Sequence, residues 1–151
     1  MMRIGRSAKW IALVLVALYL AACSRNAATY MASGDKYFQA GKYSEAVIQY
    51  RNAVQLSPRL AQAHYKLAMA LLQAKSLQEA YKELWETVTL DPANPDAQLQ
   101  FAALSIAAKK YDEAKAAAAK ALKLEPKNSR AHEILGEQSA LTSDTASAIR
   151  E

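Results

Sequence analysis

Apolar and small residues recur along the chain at a helical spacing that breaks and restarts on a fixed period. Tyr30, Gly34 and Tyr37 mark one helix face. The stretch AGKY, from Ala40 to Tyr43, interrupts it, and Ala46, Tyr50 and Ala53 resume on a second face before Pro58. That pattern predicts an antiparallel pair of helices. The layout then returns. Pro58, Pro92 and Pro126 stand 34 residues apart, as do Ala46, Ala80, Ala114 and Ala148. The phrases AVQLSP, VTLDP and ALKLEP lead into the three prolines. A fixed period of this size signals stacked supersecondary units. Gly34, Ala68, Ala102 and Gly136 fall on the same step. With the Ala46 series they give two small faces, which let paired helices approach closely. Each proline follows a second helix, because it cannot continue that helix without losing a hydrogen bond. No stretch shows the β-branched alternation of a strand, so the expected class is all-α.

The amino-terminal part departs from this rhythm. Ile11 to Ala22 is an uncharged apolar run of 12 residues, preceded by Arg3, Arg6 and Lys9. A helix of that length reaches about 18 Å, short of the ~30 Å hydrocarbon core of a bilayer. A basic start, a short apolar middle and small residues at the end predict a signal peptide over residues 1–22. The alternative is a short anchor that stays attached. Cys23 is the only cysteine, so it has no disulfide partner within the chain. A free thiol and an intermolecular bridge are both open on that ground. Leu20-Ala21-Ala22-Cys23, however, resembles the bacterial lipobox. That resemblance implies cleavage before Cys23, diacylation of its sulfur and acylation of its new amino group. Two or more acyl chains anchor a protein stably, at ~0.8 kcal/mol per buried CH₂. Ser24 after the cysteine implies, by likeness to enterobacterial sorting, the outer membrane facing the periplasm.

Charge and composition change the picture little. The formal net charge is +5, and removing Arg3, Arg6 and Lys9 leaves 5 − 3 = +2. The basic balance thus partly reports targeting and is poor support for nucleic-acid binding, which needs a patch or stripe. Residues 23–151 are rich in Ala, Leu, Lys, Glu and Gln, all strong helix formers.

The repeat itself resembles a known family. Tyr30-x-x-Ser33-Gly34-x-x-Tyr37, then Ala46-x-x-x-Tyr50, then Pro58 looks like the tetratricopeptide repeat, with Tyr in the usual Trp position. The second copy reads His64, Leu67-Ala68, Leu71, Ala80, Leu84, Pro92, and the third Gln98, Phe101-Ala102, Ser105, Ala114, Ala118, Pro126. A fourth begins His132, Leu135-Gly136, Ser139, Ala148. The resemblance implies a right-handed superhelix of helix pairs: a tether over residues 23–26, units over 27–60, 61–94 and 95–128, and a partial unit over 129–151. The third and fourth copies carry polar or small residues in aromatic positions, so lighter packing is expected there. The fourth unit stops short of a finished second helix, and arrays need a capping helix. We therefore expect native sequence beyond Glu151.

Candidate chemistry is sparse. His64 and His132 lie two repeats apart; at 8–10 Å per packed helix they are separated by roughly 20 Å and cannot share a metal. There is no Gly-rich phosphate loop, G-x-S-x-G, H-E-x-x-H or Cys-x-x-Cys. KKYDEAKAAAAK reads as a solvated helix surface. The expectation is a chain that is not an enzyme, with no cofactor, metal, nucleic acid or small-molecule substrate.

What remains is the concave surface that the family resemblance implies, where first helices hold extended peptides or partner helices. The matched positions are Met31, Asp35 and Phe38; then Tyr65, Lys66, Met69 and Leu72; then Asp96, Leu99, Gln100, Ala103 and Ile106. The carboxylate-clamp subfamily needs Lys and Asn, then Asn, then Lys and Arg. This chain has Met31 and Asp35, Lys66, then Asp96 and Gln100, so the clamp is absent. The apolar, Met-containing face suits an amphipathic helix or greasy peptide, with Tyr65, Met69 and Leu99 as its expected contacts. The chain resembles envelope lipoproteins of PEP-CTERM sorting and exopolysaccharide systems, and pilotins that help a pilus or secretion pore assemble. The expected partners are envelope proteins in the groove and the membrane through lipidated Cys23. An alternative is the non-catalytic beginning of a larger protein.

Overall fold

The computed structural model describes residues 26–136. The signal segment, Cys23 and the fourth unit past Gly136 lie outside the described residues. Six helices run in order: α1 (Ala27–Gln39), α2 (Tyr43–Leu56), α3 (Ala61–Gln73), α4 (Leu77–Leu90), α5 (Pro95–Ala107) and α6 (Tyr111–Leu124). A further helix opens at 129 and is described to 136. Each helix packs mainly on its neighbours in sequence, more extensively within a pair than between pairs. The result is an α-solenoid.

The turn inside each pair has one geometry. Gly41, Lys75 and Lys109 all take positive φ, at 72°, 61° and 58°. In each, two backbone N–H groups return to the end of the first helix. Gly41 donates to Phe38 and Lys42 to Tyr37; Lys75 to Leu72 and Ser76 to Leu71; Lys109 to Ile106 and Lys110 to Ser105. This is the left-handed cap that satisfies last-turn carbonyls and turns the chain back. Only the first copy uses glycine, the residue that tolerates the conformation freely.

The link between pairs is equally regular. Asn26, Asn94 and Asn128 accept with their side chains from the amides of Thr29, Ala97 and Ala131 at 2.9, 3.0 and 3.1 Å. They cap first helices, as Asn does well. The second copy has Leu60 there, with no side-chain cap. Six residues past each proline a side chain returns to the proline carbonyl. His64 Nε2 reaches Pro58 at 2.9 Å, Gln98 Nε2 donates to Pro92 at 3.2 Å, and His132 Nε2 reaches Pro126 at 3.0 Å. His64 Nδ1 also meets Glu83 at 2.7 Å. The histidines thus pin the loop before a first helix.

Within a pair the facing residues trade size. Tyr50 fills the space over Gly34, where an added Cβ would lie 2.5 Å from the ring. At the matched positions stand Ala68 with Leu84 and Ala102 with Ala118, all fully buried. The core runs the length of the array, from Ala46 and Tyr50 through Leu67, Leu71 and Leu84 to Phe101, Leu104 and Ile134.

Candidate partner-binding groove

The first helices α1, α3 and α5 lie side by side. A contact joins the first two of them: Lys66 Nζ of α3 donates to both oxygens of Asp35 of α1, each at 2.6 Å. Tyr50 of α2 donates its hydroxyl to Asp35 Oδ1 at 2.6 Å. Burial pushes the Asp35 carboxyl up, but the Lys66 and Tyr50 hydrogen bonds outweigh it and hold the group below the usual carboxylate range. Burial and then the Asp35 bond push the Tyr50 phenol well above its ordinary value.

Met31, Phe38, Tyr65, Met69, Leu72, Gln100 and Ile106 are half-buried along this face. Phe38 also stacks edge-on against Tyr43 of its own unit, with ring centroids 5.3 Å apart. Leu99 departs from the expectation of a contact residue. It is 5% exposed and belongs to the core, because α5 buries residues around most of its circumference. Asp96 stands exposed in the first turn of α5. Burial, then the Asp96 charge, pushes the Tyr65 phenol up.

Two residues belong with this face that the sequence reading did not name. Arg130 and Glu133 stand one period after Asp96 and Leu99, and both are exposed. The same 34-residue step would have found them.

A cavity of about 510 Å³ lies elsewhere, lined by Leu77, Tyr81, Leu104 and Lys110 among others. At its edge the Tyr81 hydroxyl donates to Glu113 and accepts from Lys110 Nζ at 2.8 Å. Among the described residues, no group of three His, Cys, Asp or Glu side chains could hold a metal ion, and no helix is long and apolar enough to cross a membrane.

An α-solenoid of antiparallel pairs with a lined first-helix face is the architecture of a protein-interaction scaffold. Two tetratricopeptide-repeat models match, one over residues 34–75 and one over 72–137, and the chain carries tetratricopeptide repeats. Among solved structures it is similar to the first such domain of RPAP3 bound to the HSP90 peptide SRMEEVD. Identity is 28% over 80% of this chain and 95% of that one, with a TM-score of 0.71. The second domain of human RPAP3, in complex with the HSP70 peptide SGPTIEEVD, is 26% identical over 75% of this chain and 94% of that one, with a TM-score of 0.67. MamA shares the fold, at 22% identity over 99% of this chain and 91% of that one, with a TM-score of 0.74. No curated protein matches the chain.

Proposed function

We propose that this chain is a lipid-anchored scaffold of a bacterial envelope that holds a peptide or helix of an envelope protein on its first-helix face. The observation that carries the groove reading is the row of half-buried apolar side chains there, Met31, Phe38, Tyr65, Met69, Leu72 and Ile106. Apolar side chains with water on one side gain by being covered, at roughly 25 cal/mol per Å². Solved relatives that hold short peptides support the same use. The lipobox-like Leu20 to Cys23 motif supports the anchor, and the short tether keeps the groove near the bilayer. The polysaccharide and protein-sorting systems of the envelope are the setting this layout resembles.

Two measurements test the reading. Metabolic palmitate labelling of the full chain should be lost in Cys23→Ser, which should also accumulate as precursor; equal labelling would remove the anchor. Envelope partners captured by the wild type should be lost with Tyr65→Ala or Met69→Ala and kept with Lys115→Ala. Capture by folded Tyr65→Ala at the wild-type level would remove the groove.

A further inference from the structure

The charges on the first-helix face say what kind of segment it accepts, an inference that rests on the groove reading above. Asp35 and Lys66 neutralise one another through a two-pronged contact. That contact joins residues 31 positions apart on neighbouring first helices. The same step carries Tyr65 to Asp96, Met69 to Gln100 and Leu99 to Arg130. Arg130 and Glu133, a turn apart on the next first helix, offset each other in sign. Asp96 is left over. It is exposed and, among the described residues, has no ion-pair or hydrogen-bond partner. Its register neighbour is an aromatic ring, and the rest of the middle of the face is apolar or neutral: Met69, Leu72, Gln100 and Ile106. A carboxylate beside an aromatic face complements an ammonium or guanidinium group by charge and by the negative face of the ring. A second carboxylate brought there would meet like charge, with Lys66 already engaged.

We infer that the groove takes an apolar segment carrying a lysine or arginine, with the cation set against Asp96 and Tyr65, and rejects acidic segments of the SRMEEVD kind. The selection has two parts. Asp96 attracts the cation. Asp35 withholds Lys66, which among the described residues is the one cation in the middle of the face, from any carboxylate. Specificity built from an attraction and a repulsion is the usual way a surface separates partners of similar apolarity.

The test titrates the full chain with three probes: an amphipathic helical peptide with a central lysine, the same peptide with glutamate in its place, and SRMEEVD. The lysine peptide should bind at least about tenfold tighter than the glutamate peptide, and SRMEEVD no better than the latter. Asp96→Lys should reverse the order of the two helical peptides, and Asp96→Asn, the milder change, should equalise them. Asp35→Ala, which releases Lys66, should raise the affinity for SRMEEVD several-fold. Circular dichroism melts establish that each variant is folded. If the helical peptides bind wild type equally and Tyr65→Ala abolishes both, the charge selection is wrong and the groove stands. If folded Tyr65→Ala binds both as wild type does, the groove reading fails as well. Tighter binding of SRMEEVD than of the lysine peptide overturns the inference outright.

Discussion

The second and third helix pairs share one backbone plan and fill it differently. In the α3–α4 pair, Leu67, Leu71, Leu84 and Val88 interlock around Ala68 and Ala80. In the α5–α6 pair the matched positions hold Phe101, Ser105, Ala118 and Leu122 around Ala102 and Ala114. There Gln98 Oε1 and Ser105 Oγ are buried without a hydrogen-bond partner among the described residues. A buried polar atom left unpaired costs about 1–3 kcal/mol, and alanine in place of leucine removes apolar contact. Yet the two pairs have the same turn and equivalent bonds to a proline carbonyl. The comparison teaches that caps and turns hold the repeat period, while side-chain packing sets how firmly each unit is held. In a solenoid, where each unit contacts only its neighbours, such differences stay local.

The strongest way to break the comparison is to make the second pair resemble the third. Leu84→Ala should destabilise the array by about 2–5 kcal/mol, read by chemical denaturation. A loss below about 1 kcal/mol would mean that Leu84 is not the anchor its complete burial indicates. Gly34→Ala applies the opposite stress to the first pair. The new Cβ meets the Tyr50 ring, which is buried and tied to Asp35 through its hydroxyl, and overpacking of this sort costs about 1–3 kcal/mol. The double variant Gly34→Ala with Tyr50→Phe keeps the ring that the new Cβ meets and lacks the hydroxyl bond. Its loss should be the sum of the two single losses; a loss no larger than that of Tyr50→Phe alone would assign the Gly34→Ala effect to a broken hydroxyl bond.

Repairs should act in the other direction. Ser105→Ala removes an unpaired buried hydroxyl and is expected to raise stability by about 1 kcal/mol; a lower melting temperature would show that the hydroxyl has a partner in solution. Leu60→Asn supplies the cap that the other described first helices possess, with a gain of about 1 kcal/mol. Lys109→Gly relieves a left-handed residue and should gain about the same. The smallest effect concerns pH. Because the folded Asp35 carboxyl lies below its ordinary 3.8, its ionised form stabilises the fold above that value. The contribution is lost as pH falls below 3.8 and through the folded value. Asp35→Asn should flatten the acid limb of a stability–pH curve; an unchanged limb would show that the Asp35–Lys66 contact is not maintained in solution.

Much of this was legible in the sequence. The 34-residue step of proline and small residues carries the helix pairs, because it records where helices must stop and where they must approach. The expectation of lighter packing in the third copy came from Ser105 and Ala118 standing where larger residues stand earlier. Other features were not legible. The Asp35–Lys66 pairing depends on how neighbouring first helices are offset, a quantity that no single helix pattern contains. Leu99 looked like a surface anchor because its position matches Tyr65, but α5 is apolar around most of its circumference and draws that residue inward. The asparagine caps at Asn26, Asn94 and Asn128 are written in the same spacing as the prolines, with Leu60 breaking the series in the second copy.

The most direct test of the account is site-specific photo-crosslinking in the envelope of cells that express the full chain. A photoreactive residue replaces Tyr65 on α3 in one strain and Lys82 on α4 in another. The account predicts a discrete adduct with an envelope protein from position 65, diminished by Met69→Ala, and none of that species from position 82. An adduct of the same protein from position 82 alone would contradict it.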